Sequence, residues 1–91
     1  MTWQLIFTDQ YNRKAAKFIK QHPNAATQYT KTLELLTVNP HHPSLRLHAL
    51  KGKLNGLSSV SINLKYRITI ELIITENEII PINVGDHDEV Y

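Results

Sequence analysis

The stretch "SVSINLKYRITIEL", Ser59 to Leu72, decides how the rest of the chain is read. Its first half alternates Val60, Ile62 and Leu64 with Ser59, Ser61 and Asn63. Its second half alternates Tyr66, Ile68, Ile70 and Leu72 with Lys65, Arg67, Thr69 and Glu71. Successive side chains of a strand point to opposite faces, so this period of two predicts adjoining strands of one antiparallel sheet, apolar on one face and polar on the other. The apolar series continues to Ile74, and "TENE" supplies a turn into a last strand, Ile79 to Val84. Pro81 inside that strand has no N–H to give a ladder, so the strand is expected at an edge or with a local irregularity.

Upstream of the meander, Leu45, Leu47 and Ala49 face one way and Arg46 and His48 the other, which predicts a further strand. Lys51-Gly52-Lys53 and Asn55-Gly56 supply turn chemistry after it. At the N-terminus Trp3, Leu5 and Phe7 share a face, predicting a strand over residues 2–8 with Thr8 or Asp9 as the cap of a following helix. That helix places Tyr11, Ala15, Phe18 and Ile19 on one side and Arg13, Lys14, Lys17 and Lys20 largely on the other, and ends near His22 before Pro23. Asn24 is expected to cap a second helix with Ala25, Tyr29, Leu33 and Leu36 inward, stopped by Asn39-Pro40. The order is β-α-α-β-β-β-β: an α+β fold in which a helical hairpin covers one face of an antiparallel sheet. The other face is expected to stand open and to carry Arg46, His48, Ser59, Ser61, Asn63, Lys65 and Arg67.

Ninety-one residues suffice for one core, so residues 1–91 read as a single domain. With 42% hydrophobic and 20% charged residues the composition is that of an ordinary soluble globule. No apolar run approaches the roughly 18 residues of a membrane span. "MTWQLIFTDQ" lacks the basic start and long apolar stretch of a secretory signal, and a cytoplasmic location is expected. The absence of cysteine removes disulfides, thiol catalysis and thiolate-bound zinc. His41 and His42, adjacent in a proline-flanked loop, have poor geometry for one ion, so neither metal nor cofactor is expected. All ten Lys and Arg residues lie between Arg13 and Arg67, a span whose one acid is Glu34, and six acids follow Arg67. Such asymmetry points to a surface that attracts an anion.

The residues also resemble a family. The strand-helix-helix-meander order, "LRLHALKGKLNG" from Leu45, "KYRITIEL" from Lys65 and "VGDHDEVY" from Val84 together resemble the RelE/ParE superfamily of toxins from toxin-antitoxin pairs, over essentially the whole chain. The ending is most like the YafQ branch, whose Gly-x-His-x-x-x-aromatic pattern is matched by Gly85, His87 and Tyr91. By the same resemblance His48 stands where that branch has a histidine before its loop. Arg67 stands where RelE-type members have an arginine, and Lys51 and Lys53 stand where they have lysines near the scissile phosphate. The chain departs from the pattern at Asp86, Asp88 and Glu89, where RelE-type toxins tend to be basic, and at Ser61 and Lys65, where YafQ-like members have a histidine and an aspartate.

The resemblance implies a RelE-like microbial ribonuclease fold and a ribosome-dependent endoribonuclease, an mRNA interferase that works without metal by attack of a 2'-hydroxyl on the adjacent phosphate. The implied catalytic residues are His48, Arg67, His87 and Tyr91. His48 and His87 would divide the roles of base and acid, with His87 as the acid because Asp86, Asp88 and Glu89 favour its protonated form. Tyr91 would stack on a base or bond the 2'-oxygen. Arg46, Lys51, Lys53 and Lys65 would bind RNA together with Arg67, in a basic stretch without an acid. The implied partners are a cognate antitoxin protein, the ribosome and mRNA, with no membrane. Plainer readings stand beside these: His48 as a solvated strand residue, Arg67 paired with Glu71, Tyr91 packed as core. Two other functions remain open, a ParE-like inhibitor of DNA gyrase that cleaves nothing and a degenerate toxin that only binds its antitoxin.

Overall fold

The computed structural model describes residues 2–86. Its elements are β1 (Gln4–Leu5), α1 (Asp9–Gln21), α2 (Ala26–Val38), β2 (His48–Ala49), β3 (Ser58–Ser61), β4 (Tyr66–Ile73) and β5 (Glu78–Asp86). The five strands form one sheet in the order β1-β5-β4-β3-β2. β2 to β5 are an antiparallel meander, and β1 returns to pair in parallel with β5, Gln4 beside Glu78 and Leu5 beside Ile79. The α+β fold and the element order expected from the sequence are those observed.

The core lies between the helical pair and one face of the sheet. Tyr11 and Phe18 of α1 and Tyr29 and Leu36 of α2 meet Val60, Ile62, Ile68, Ile70, Ile79 and Val84 there. Phe18, Tyr29, Tyr66 and His22 form a ring cluster, with Phe18 edge-on to Tyr66 at 5.1 Å. The buried hydroxyls of Tyr11 and Tyr29 bond each other at 2.8 Å. Burial raises both above the ordinary phenol value, so both stay neutral near pH 7. Thr8 caps α1 by accepting from the Tyr11 amide at 3.1 Å.

Several local expectations are corrected. β1 has two residues rather than the seven of 2–8, because the Trp3 amide bonds the Thr37 carbonyl at the end of α2, and Phe7 turns outward, 46% exposed, to stack on Tyr11. Asn24 does not cap α2. Pro23 opens a short 3-10 turn, Pro23–Ala25, whose end runs directly into the helix without a side-chain cap. The alternation read over Leu45–Ala49 fails at its start. Pro43–Leu45 is a 3-10 turn whose first amides are met by His42, and Arg46 after it is left-handed at φ 49°. β2 is therefore only His48–Ala49.

The apolar alternation also stops at Asn63, whose carboxamide oxygen accepts from the Lys65 and Tyr66 amides, 2.8 Å each. That Asx turn ends the β3 side of the hairpin and lifts Leu64 out to 94% exposure. Ile74 likewise leaves the apolar face, since a further 3-10 turn, Ile74–Glu76, begins there. β5 begins one residue earlier and runs two residues further than predicted. It lies between β1 and β4, but β1 pairs only with Glu78 and Ile79, and at Pro81 the pairing with β4 is irregular. Ile70 pairs with Pro81 and Thr69 with Asn83, a slip that excludes Ile82 from the pairing.

The polar face of the sheet is not uniformly open. Ser59 and Thr69 are as buried as the apolar core. The cover over Ser59 includes the side chain of Arg67, which bends back along the sheet to reach it.

Candidate functional site

The register of the meander assembles a row of side chains across the polar face. His48 pairs with Ser59, Ser59 with Thr69 and Thr69 with Asn83. The next row contains Ser61, Arg67 and Gly85. Directly opposed residues of antiparallel strands point to the same side, so His48 and Arg67 share a face although 18 residues separate them in the chain. Gly85 opposite Arg67 adds no side chain, and it brings the start of the "VGDHDEVY" segment beside the arginine.

The half-buried guanidinium of Arg67 makes three contacts. Its Nε donates to the Ser59 hydroxyl at 2.6 Å, and Nη2 donates to the Arg46 carbonyl at 3.2 Å and lies 3.3 Å from Nδ1 of His48. Among the described residues Glu71 is not one of its partners, so the plainer reading of an Arg67–Glu71 pair gives way to these neutral acceptors. Arginine has no acceptor, so its contact with His48 requires Nδ1 to carry the lone pair. The other approach of that nitrogen, 3.4 Å from the Arg46 carbonyl, would need Nδ1 to carry the proton. The two cannot hold together.

Arg46 and His48 are exposed, and the backbone of one and the ring of the other meet Arg67. Lys51 and Lys53 are exposed on the loop after β2. That loop leaves the sheet at the Ala49–Ser58 rung, one rung beyond the His48–Ser59 rung the guanidinium reaches. Lys65 is not brought to Arg67: it sits in the Asx turn and its ammonium stands 5.5 Å over the Tyr66 ring. His87 and Tyr91 lie outside the described residues. Ser59, passed over as one more polar strand residue, and the Arg46 carbonyl are the parts of this cluster that sequence reasoning missed. No motif marks either.

A concavity of about 220 Å³ lies between α1 and β5, lined by Lys14, Lys17, Phe18, Gln21, Asn83 and Val84. The Lys14 ammonium there donates to the Ile82 carbonyl at 3.4 Å. Beside Phe18 the Tyr66 hydroxyl lies 3.0 Å from Nδ1 of His22. Among the described residues no three His, Cys, Asp or Glu side chains gather as metal ligands, and no helix is long and apolar enough to cross a membrane. His42 uses Nδ1 locally, 2.9 Å from the Ser44 hydroxyl.

An arrangement of this kind can hold a phosphate. A permanent cation is fixed by neutral acceptors, so no acid among the described residues cancels its charge, and an imidazole stands beside it.

No family profile matches the sequence, and no curated protein sequence matches it. Solved structures do match its fold. YafQ from Escherichia coli BL21(DE3) superposes with a TM-score of 0.72 at 14% identity, over 98% of both chains. A chain of the toxin-antitoxin complex RelBE2 from Mycobacterium tuberculosis gives 0.70 at 18% identity, covering 96% of this chain and all of that one. The YoeB/ParE toxin from Agrobacterium tumefaciens gives 0.73 at 14% identity, covering 92% and 98%. The described chain therefore has the fold of the RelE/YafQ-like toxins.

Proposed function

We propose that the chain is the toxin of a toxin-antitoxin pair and a metal-independent endoribonuclease that cuts mRNA on the ribosome. The observation that carries this reading is the Arg67–His48 pair on the polar sheet face, held by Ser59 and the Arg46 carbonyl, in a fold shared with YafQ and a chain of the toxin-antitoxin complex RelBE2.

In this reading a substrate phosphate lies over Arg67, whose guanidinium takes the charge that grows on the non-bridging oxygens as the 2'-oxygen attacks phosphorus. His48 accepts the 2'-hydroxyl proton. The P–O5' bond breaks, the 5'-oxygen takes a proton from His87, and a 2',3'-cyclic phosphate remains on the upstream fragment. Phosphate entry has a further effect on His48. A phosphoryl oxygen that draws Nη2 to itself withdraws the hydrogen that faces Nδ1. Arg46, Lys51 and Lys53 add positive potential around the same face, Lys65 adds charge from the hairpin turn, and Tyr91 stacks on a base or bonds the 2'-oxygen. The partners are an antitoxin protein, the ribosome and its message, and the place of action is the cytoplasm.

The test is induction in growing bacteria with mapping of 5' ends on translated messages. In-frame cuts that vanish in Arg67→Ala and His87→Ala variants are expected. Growth arrest with intact messages and gyrase-linked DNA damage would replace this reading with gyrase inhibition, and no arrest at all would leave a chain that only binds its antitoxin.

A further inference from the structure

We infer that Ser59, together with the backbone carbonyl of Arg46, is the positioning device that presents Arg67 to a phosphate; the inference rests on the reading of Arg67 as the phosphate ligand. Arg67 does not stay on its own rung. Its Cα partner is Ser61, yet its side chain runs diagonally to Ser59, where Nε donates at 2.6 Å. Ser59 is fully buried and is paired on both sides, to His48 in β2 and to Thr69 in β4, so its oxygen has the fixed position of a ladder residue in mid-sheet.

The second support is the Arg46 carbonyl, 3.2 Å from Nη2. Arg46 is one of two described non-glycine residues with positive φ, and its left-handed turn joins the Pro43–Leu45 turn to β2. Two acceptors, one on each of two guanidinium nitrogens, remove the freedom that a long arginine otherwise keeps. Nη1 enters none of these contacts. With Nη2 it can present an end-on fork to two phosphoryl oxygens.

Ser59 suits the task by size as well as by chemistry. One methylene keeps the hydroxyl close to the sheet, so the guanidinium can lie along the face, and the hydroxyl accepts without adding a charge. An acidic residue in its place would grip Arg67 harder and cancel the field the phosphate needs. Thr69 supplies the internal comparison: it is on the same row and equally buried, yet its hydroxyl has no partner among the described residues.

The experiment has two arms. In the first, solvent exchange of the Arg67 Nε–H is followed by nitrogen-15 NMR in the wild type and in Ser59→Ala, Ser59→Thr, Ser59→Val and Thr69→Val. Protection is expected in the wild type, Ser59→Thr and Thr69→Val. Exchange is expected to speed up at least about 10-fold in Ser59→Ala and Ser59→Val, a loss of order one hydrogen bond to a charged group. The near-isosteric Thr and Val variants keep the comparison valid should the alanine variant fold poorly. In the second arm, cleavage of a translated message by Ser59→Ala is expected to fall by about 10- to 100-fold in kcat, as for a misplaced reacting group, with KM little changed. Ser59→Thr restores most of it, and Ser59→Ala adds no loss in the Arg67→Ala background.

Unchanged Nε–H exchange in Ser59→Ala and Ser59→Val overturns the inference, as does an equal loss of cleavage with and without Arg67. A wild type that cuts no message while Ser59 still governs the Nε–H signal would refute the nuclease reading and leave the cradle standing.

Discussion

Arg67→Ala separates an arginine kept for a substrate from one kept as a strut. The substitution removes contacts at 2.6, 3.2 and 3.3 Å. Hydrogen bonds to a charged group contribute roughly 1.5–3 kcal/mol each, which as a simple sum would approach the whole stability of a domain. The geometry argues for much less. Arg46 and His48 are exposed, so their freed acceptors turn to water, and truncating the half-buried arginine opens a path for water to the Ser59 hydroxyl. A net cost of about 1 kcal/mol is expected, a fall in Tm of about 4–8 °C for a domain of this size. The loss in cleavage is expected to be far larger, about 10²–10³, as for removal of a preorganised donor to developing charge. Arg67→Lys keeps the charge but loses both Nε and the planar fork, and so stays well below the wild type. Thermal melting followed by circular dichroism gives the first quantity, and cleavage of a defined message in a reconstituted translation system gives the second. A destabilisation above about 3 kcal/mol, in the range of a broken buried pair, with activity falling only as the folded fraction falls, would show that Arg67 is a strut.

Other expectations concern the scaffold. Tyr29→Phe leaves the buried Tyr11 hydroxyl without its 2.8 Å partner and should cost about 1–3 kcal/mol, whereas the Tyr11→Phe, Tyr29→Phe double variant should cost less than the sum of the singles; urea unfolding of the four proteins measures the coupling. Both hydroxyls titrate higher folded than unfolded, so their contribution is complete below the unfolded phenol value of about 10 and is lost as pH rises above it. The urea midpoint should therefore fall from pH 9 to 11, and less steeply in the double variant. Thr8→Ala removes the cap on the Tyr11 amide and should cost about 1 kcal/mol, read as a lower urea midpoint with unchanged slope.

Much of the architecture is legible in the chain because it is written in local periodicity. Ile68 and Ile70 alternate with Arg67 and Thr69, and Phe18 and Tyr11 fall on one side of a helix, whatever the rest of the molecule does. Two of the misreadings share one cause: a short polar or proline-led turn outranks the period on either side of it. Asn63 ends the alternation that would have buried Leu64, and Pro43 ends the one that would have put Leu45 and Arg46 in a strand. In the site, His48 and Arg67 were legible as residue types in a recognisable order.

What the sequence determined by itself is which residues each segment turns inward and in what order the segments follow. Only the tertiary structure decided that Ser59 is buried under an arginine from the neighbouring strand, that Lys65 faces a tyrosine ring instead of that arginine, and that Pro81 lies at a slip in register. The physical reason is reach. An alternating pattern records the side of the sheet to which a side chain points, but a flexible side chain several ångströms long chooses its partner from adjacent rungs, and strand pairing alone fixes which rungs are adjacent.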